Sequence, residues 1–317
     1  MPTRILLWSP FDDYLVDVLS ALPGVSLGRV ASAEELAASL PEADALVMVG
    51  HFYTAPVAAL IREKGQRLRW IQLTTAGFDG FAFYGVPAHI AVTNAGHSHA
   101  PAVAEHAVML LTALVRRLPG FADAQRRRVF DLRLPAPLTT LEDATVTILG
   151  YGGIGREIAR RVRPFQSRII AVARSARDDD IAERVVAADA LRDALCESDA
   201  LVIAAALTAE TCGMVDAAAL AALKPGAILV NIARGAIVDT MALVDALHNG
   251  HLSGAGLDVT DPEPPPSDHP LWSCPNLIVT PHVSGMGSPG VYRRIADVVR
   301  SNAMLFLSGE SLRHRVM

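Results

Sequence analysis

Three strand-like segments in the second half of the chain end in side chains that can carry chemistry. The segments span residues 227–233, 253–257 and 277–280. The polar side chains that follow them are Arg234, Asp258, Glu263 and His282. A guanidinium group binds carboxylates through paired hydrogen bonds, and a histidine beside a carboxylate is suited to proton transfer near neutral pH. Because ligands bind at the carboxyl ends of open parallel sheets, we expect these residues to share one crevice that binds an organic acid.

A glycine-rich motif upstream predicts a dinucleotide site. The residues from Gly150 to Gly155 read G-Y-G-G-I-G between an apolar run and a helical run. Gly150 would make the tight turn, Gly152 would let the backbone approach the pyrophosphate, and Gly155 would allow the helix to pack closely on the strand. The residues assigned to the cofactor here are Gly150, Gly152, Gly153, Ile154 and Gly155. Hydride transfer from a nicotinamide beside a proton donor is the chemistry that reduces a 2-oxo acid.

The residue that meets the adenosine ribose indicates which dinucleotide binds. An acidic side chain after the next strand, at residues 168–173, would bind the 2′-hydroxyl of NAD, but Arg174 stands there. Arg174, Ser175 and Arg177 offer two guanidinium groups and a hydroxyl, which suit a 2′-phosphate. The sequence therefore favours NADP, with NAD possible. The alternative interpretation is a solvated basic turn that the acidic residues 178–180 balance.

Length and composition place the chain among soluble two-domain proteins. Its 317 residues exceed what a single core usually organises. Hydrophobic residues make up 51%, yet charge, proline or glycine interrupts every apolar run before the roughly 18 residues that a membrane span needs. The net charge of -5 argues against nucleic acid, and the 3 scattered cysteines indicate reduced thiols rather than disulfides or a zinc site. Residues 1–8 fit a buried strand better than a signal peptide, so we expect a cytoplasmic protein with neither a metal nor a membrane partner.

The order of the apolar runs predicts an α/β protein whose parallel sheets are covered by helices on both faces. Four early runs predict the strands of a first sheet, at residues 5–8, 45–49, 70–73 and 90–93. A helical run from Pro101 to Arg117 precedes the glycine motif, and a last helical run at 291–307 has no neighbouring strand. We therefore predict a dinucleotide-binding domain at 101–285. Residues 1–100 and 286–317 would form a discontinuous substrate domain.

Several motifs, taken in chain order, resemble the D-2-hydroxyacid dehydrogenase family. They are Gly150 to Gly155, Lys224 to Gly235, Gly256-Leu257-Asp258-Val259, Glu263-Pro264 and Thr280-Pro281-His282. Weaker agreement at 75–79 and 102–106 extends the resemblance into the first half of the chain. The resemblance implies two doubly wound parallel-sheet domains, a Rossmann nucleotide-binding domain and a flavodoxin-like substrate domain, with the active site between them.

The resemblance also implies a role for each candidate residue. Arg234 would hold the substrate carboxylate and oxo group, while His282 would donate the proton to the oxo oxygen. Glu263 would hydrogen-bond His282 and stabilise its imidazolium form. Asp258 would hydrogen-bond the nicotinamide carboxamide. In the other domain, the backbone N–H groups of Ala76 and Gly77 would cradle the substrate carboxylate.

Within the family, the resemblance is nearest to the NADPH-preferring glyoxylate and hydroxypyruvate reductases. Glu263 differs from the glutamine typical of formate dehydrogenases, and the length leaves no room for the regulatory domain of many phosphoglycerate dehydrogenases. The expected reaction is the reduction of a small 2-oxo acid to the D-2-hydroxy acid, and the particular acid stays open.

A second functional class stays open, because dinucleotide-sensing corepressors resemble the same family and retain similar catalytic residues. The family also implies a homodimer, formed around Ala107 to Leu134. His97 and His99 are spaced like metal ligands, but without a compact partner set they are interpreted as loop residues. The segment 51–53 could line the substrate pocket or pack in the core.

Overall fold

Two compact units make up the chain in the computed structural model, which describes residues 2–10, 12–133 and 137–317. The first unit comprises Met1–His99 and Gly287–Met317, and the second comprises Ala100–Met286. Each unit is a parallel sheet flanked by helices. The predicted α/β fold class is therefore confirmed.

Five parallel strands form the sheet of the first unit in the part of the chain that the structure describes. They are β1 (Thr3–Trp8), β2 (Val25–Arg29), β3 (Ala45–Met48), β4 (Trp70–Leu73) and β5 (Ala91–Thr93). The helices between them are α1 (Asp12–Ser20), α2 (Ala33–Ser39), α3 (Ala55–Lys64) and α4 (Asp79–Tyr84). The strand order β2-β1-β3-β4-β5 is the flavodoxin-like order, which reverses between β1 and β3. Strand β2 was not predicted, because this edge strand is only partly buried and lacks a continuous apolar run.

Over its described residues, the second unit has a sheet of seven parallel strands. They are β6 (Thr145–Leu149), β7 (Arg168–Ala173), β8 (Arg184–Ala187), β9 (Ala200–Ile203), β10 (Ala227–Asn231), β11 (Leu252–Leu257) and β12 (Leu277–Val279). Its helices are α5 (Ala100–Val115), α6 (Leu118–Arg126), α7 (Gly153–Val162), α8 (Leu191–Cys196), α9 (Ala217–Ala222) and α10 (Thr240–His248). The order β12-β11-β10-β9-β6-β7-β8 is that of a Rossmann sheet, which reverses between β6 and β9. The carboxyl ends of β6 and β9 therefore open the crevice where such sheets bind ligands.

The last helix, α11 (Pro289–Ser308), belongs to the first unit. Ser288 caps its first turn by accepting a hydrogen bond from the Gly290 amide, and Gly309 ends it in the left-handed conformation. Its buried side chains recur at helical spacing, so one face of the helix packs inward. Among the described residues, no helix combines the length and apolar character needed to cross a membrane.

Candidate active site and cofactor-binding site

The glycine motif forms a tight turn between β6 and α7. Gly150 has a φ of 95°, and its N–H donates to the carbonyl of Val172 at 2.9 Å. A Cβ atom on Gly150 would overlap the backbone of Ala205, and one on Gly155 would overlap the carbonyl oxygen of Gly150. Both positions therefore require glycine, as the motif predicts.

The start of helix α7 has the features of a pyrophosphate cradle. Gly152 is the N-cap and provides no side-chain cap, while Gly153 and Ile154 open the first turn. A Cβ on Gly152 would meet no protein atom within 4 Å, so the glycine leaves open space beside the helix N-terminus. Free N–H groups and the helix dipole favour an anion there. The residues present therefore fit a dinucleotide.

Tyr151, inside the glycine motif, ties the turn to the segment that follows β7. Its hydroxyl donates to Asp179 at 2.7 Å, and Arg156 of α7 pairs with the same carboxylate. Burial by itself raises the pKa of Asp179, but hydrogen bonds from Ala182, Tyr151 and Ile181 and the charge of Arg156 bring that pKa below its ordinary value. Asp179 is therefore an inward-facing anion that braces the glycine turn.

The basic turn after β7 is open to solvent. Arg174 and Ser175 are exposed, and the described part of the chain offers the Arg174 guanidinium no partner. Arg177 donates to the carbonyl of Tyr151 at 2.9 Å and lies over its ring, 5.6 Å from the centroid. The acidic stretch at 178–180 pairs with helix α7. The structure thus leaves Arg174 available to an anion and holds Arg177 against the glycine turn.

Arg234 emerges directly after β10, where a buried asparagine organises the chain. Asn231 accepts from the Ala233 amide at 3.0 Å and donates to the Arg234 carbonyl at 2.9 Å. The Arg234 guanidinium donates to the Ala233 carbonyl at 2.6 Å. A Cβ on Gly235 would overlap the backbone of Thr260, so this glycine lets the two loops approach. These contacts fix Arg234 at the carboxyl end of the sheet.

Glu263 and His282 form a hydrogen-bonded pair, with 2.7 Å between Glu263 Oε1 and His282 Nδ1. The other carboxylate oxygen, Oε2, accepts from the Thr260 amide at 3.3 Å. An ionised carboxylate only accepts hydrogen bonds, so the imidazole donates through Nδ1, and Nε2 is the ring nitrogen that Glu263 does not engage. The side chains of His282 and Glu263 are 46% and 42% exposed, so a substrate can reach them.

Asp258, in contrast, is enclosed, with its side chain 0% exposed. Its Oδ1 accepts from the Thr280 hydroxyl at 2.6 Å and from the Val283 amide at 2.9 Å. Its Oδ2 accepts from the Ser284 amide at 2.9 Å. The carboxylate is thus committed to the loop that carries His282, and its contact with a nicotinamide carboxamide stays a prediction.

In the first unit, the residues after β4 form a loop with unused amide groups. Thr75 donates to the Gly77 carbonyl at 3.0 Å, and Asn94 donates to the Ala76 carbonyl at 2.8 Å. Gly50, after β3, donates its N–H to the Thr75 hydroxyl at 3.2 Å. Within the described residues, the N–H groups of Ala76 and Gly77 have no hydrogen-bond acceptor. They are therefore available to bind an anion.

The histidines of the loop at 97–99 contact other groups of the first unit. His99 bonds the Thr74 carbonyl at 2.9 Å, and the His97 ring centroid lies 6.2 Å from that of His314. Across the residues that the structure describes, no group of three potential ligands could hold a metal ion. Of the segment 51–53, Tyr53 is buried and stacks on a phenylalanine, whereas His51 is exposed.

Several side chains that shape the site were given no role from the sequence. They are His106, Tyr151, Asp179, Asn231 and Thr280. The last of these stands two residues before His282, and Tyr151 lies inside the glycine motif, so proximity to a motif could have indicated both. His106 bonds Thr280 across 174 positions of the chain, and no local pattern reveals such a contact.

Known proteins share both sequence and fold with this chain. The family model for the NAD binding domain of D-isomer specific 2-hydroxyacid dehydrogenases matches residues 108–284. The glyoxylate reductase of Pyrococcus furiosus is 34% identical over 286 residues, covering 87% of this chain and 83% of the relative. The D-3-phosphoglycerate dehydrogenase of Mycobacterium tuberculosis is 34% identical over 278 residues, covering 87% of this chain and 52% of the relative, so the chain spans about half its length.

A solved structure extends the similarity to the whole chain. It is that of a D-isomer specific 2-hydroxyacid dehydrogenase family protein from Aeromonas salmonicida. The TM-score is 0.87 at 29% sequence identity, and the match covers 100% of this chain and 99% of the other. Both units of this chain therefore have counterparts in one solved protein.

Proposed function

Because the chain belongs to the D-isomer-specific 2-hydroxyacid dehydrogenase family, we propose that it reduces a small 2-oxo acid to the D-2-hydroxy acid with NAD(P)H. The substrate class is that of glyoxylate and hydroxypyruvate, which the similarity to a glyoxylate reductase supports. The observation that carries the proposal is the Glu263–His282 pair, an accessible proton donor in the same unit as the glycine turn.

In the proposed reaction the nicotinamide supplies the hydride, and the protein supplies binding and a proton. His282 donates from Nε2 to the oxo oxygen, which gains negative charge as its carbon is reduced. Glu263 hydrogen-bonds His282 through Nδ1, and its negative charge favours the imidazolium that donates the proton. Arg234 binds the carboxylate and polarises the oxo group. The amides of Ala76 and Gly77 are proposed as further carboxylate ligands.

The test is the initial rate of NADPH and NADH oxidation by the purified protein with glyoxylate, hydroxypyruvate, pyruvate and bulkier 2-oxo acids. Turnover with the smaller acids, and a D-configured product from hydroxypyruvate, would establish the reductase. Cofactor binding without turnover of any acid would contradict the proposal and favour the alternative, a dinucleotide-sensing protein that binds a partner.

Arg174 is proposed to select NADP by binding its 2′-phosphate. We expect Arg174→Asp to raise the Kd of NADPH relative to that of NADH by about 10- to 100-fold, because a charge-assisted hydrogen bond contributes roughly 1.5–3 kcal/mol. Fluorescence titration with both cofactors measures the ratio. The control is Arg192→Asp, which makes the same charge change at an exposed arginine of the second unit. An unchanged ratio in Arg174→Asp would mean that Arg174 is merely solvated.

We also propose a homodimer that uses the exposed apolar segment around helix α6. Phe130 is 97% exposed and Leu132 is 93% exposed, and neighbouring exposed apolar residues are a common mark of a protein interface. Of the predicted interface from Ala107 to Leu134, the last residue lies outside the described residues.

The double variant Phe130→Arg with Leu132→Arg is expected to sediment as a monomer, because the cations that it introduces on both subunits cannot be accommodated in a symmetric apolar interface. Analytical ultracentrifugation measures the mass. Phe83→Arg, at an aromatic residue of the first unit that is 82% exposed, should leave the mass unchanged. A monomeric parent protein would disprove the dimer.

A further inference from the structure

A chain of polar side chains runs from helix α5 to the loop that carries His282. His106 Nε2 lies 2.9 Å from Thr280 Oγ1, and that hydroxyl lies 2.6 Å from Asp258 Oδ1. His106 Nε2 is also 3.6 Å from Asp258 Oδ1. The family resemblance gave no role to His106 or Thr280.

The direction of each hydrogen bond follows from the chemistry of the groups. A hydroxyl has one hydrogen, and Thr280 donates it to Asp258 Oδ1. The lone pairs of Thr280 Oγ1 are then left to accept, so the imidazole of His106 donates through Nε2. The hydrogen bonds therefore run in one direction, from His106 to Thr280 to Asp258. A side chain without an N–H donor at position 106 would leave the Thr280 hydroxyl oxygen without this donor.

Asp258 connects these side chains to the turn around His282 through hydrogen bonds. The His282 amide donates to the Asp258 backbone carbonyl at 2.8 Å, while the carboxylate accepts the amides of Val283 and Ser284. His282 has a φ of 55°, a left-handed conformation that a residue with a side chain seldom adopts without outside support. One aspartate thus holds three consecutive amides of the turn from which the imidazole projects.

The buried carboxylate of Asp258 needs hydrogen-bond donors from neighbouring protein groups. Its side chain is 0% exposed, so water cannot replace a lost donor. Within the described residues, the donors to it are the Thr280 hydroxyl and two amides of the turn, with the His106 imidazole beside them. Removing the Thr280 hydroxyl would take one hydrogen-bond donor away from the buried Asp258 carboxylate. The carboxylate or the turn would then move to recover a donor.

We propose that His106 and Thr280 are positioning residues that act through Asp258 to hold the His282 turn in its left-handed conformation, so that the imidazole stays aimed at the reacting oxygen. This inference rests on the proposed function, because it assumes that His282 donates a proton. Neither His106 nor Thr280 is required to touch substrate or cofactor.

Matched pairs of variants test the proposal. Thr280→Val removes the hydroxyl at nearly constant shape, whereas Thr280→Ser keeps it. His106→Leu removes the donor, whereas His106→Gln can place an amide N–H near the position of Nε2. We expect Thr280→Val and His106→Leu to lower kcat by about tenfold or more, since a small misplacement of a catalytic group can cost up to about 100-fold. Thr280→Ser and His106→Gln should recover most of the loss.

A double-mutant cycle separates this role from a general loss of structure. If Thr280 acts only through His282, Thr280→Val should change kcat less than about twofold once His282 has been replaced by alanine. An equal loss in both backgrounds would overturn the proposal, and so would wild-type kcat in Thr280→Val.

Amide hydrogen exchange tests the turn without turnover. In Thr280→Val, the peptide that contains Val283 and Ser284 should exchange about tenfold faster than in the parent, while strand β6 in the same unit keeps its protection. Unchanged exchange of the turn would overturn the proposed brace. A parent protein without turnover on any 2-oxo acid would instead refute the proposed function, and the exchange result alone would then decide whether the brace exists.

Discussion

Replacing His282 with alanine is expected to lower kcat by about 10²- to 10⁴-fold, the usual contribution of a general acid. The Kd of the cofactor should stay within about twofold, because the histidine bonds Glu263 and its proposed role is to donate a proton to the substrate. Steady-state rates with the best 2-oxo acid and fluorescence titration with NADPH measure the two quantities. Since His282 is 46% exposed, its truncation leaves no cavity in a packed core, and the protein should remain folded.

Two further variants test whether the loss of kcat in His282→Ala reflects the loss of a proton donor. Glu263→Gln keeps a group that can bond the imidazole but removes its negative charge, so we expect a smaller loss of kcat than in His282→Ala. His248→Ala removes an exposed histidine of helix α10 and should leave kcat unchanged. If His282→Ala raised the Kd of the cofactor while kcat at saturating cofactor was retained, His282 would not be the proton donor.

The glycines of the dinucleotide turn are expected to separate into two classes on substitution by alanine. Gly155→Ala should cost about 3 kcal/mol or more of unfolding free energy, because its Cβ would overlap the Gly150 carbonyl oxygen, and backbone cannot rotate away as a side chain can. Gly152→Ala should cost only about 1 kcal/mol or less, since its Cβ would meet no protein atom within 4 Å and only the N-cap preference for glycine over alanine is lost. Denaturant unfolding of each variant measures the difference.

Gly152→Ala should weaken cofactor binding strongly, in contrast to its small effect on the unfolding free energy. A methyl group in the space predicted for the pyrophosphate is expected to raise the Kd of NADPH by about 10- to 100-fold. This corresponds to the roughly 1–3 kcal/mol that an overpacked contact costs. Gly24→Ala in the first unit is a control for the substitution itself, because a Cβ there would also have no protein atom within 4 Å, although the φ of 80° adds some strain. A Gly152→Ala variant that binds NADPH normally would show that the cofactor does not approach at this turn.

The sequence alone determined the fold class and most of the candidate chemistry of this protein. Buried parallel strands appear as continuous apolar runs, and polar residues follow at their carboxyl ends. That pattern drew attention to Arg234, Glu263 and His282 without coordinates, and the family resemblance supplied their roles. The glycine motif could be placed between an apolar run and a helical run, which are β6 and α7. The family resemblance also implied that Glu263 would bond His282, and the structure has this contact at 2.7 Å.

Tertiary structure alone decided which polar residues support that chemistry. Sequence could not distinguish the inward-facing Asp179 from the acidic stretch around it, and it could not join His106 to Thr280 across 174 positions. It also missed the half-buried edge strand β2. The physical reason is that apolar periodicity and glycine turns are local properties of the chain, whereas a buried carboxylate takes its donors from whichever segments the fold brings beside it, at any separation in sequence.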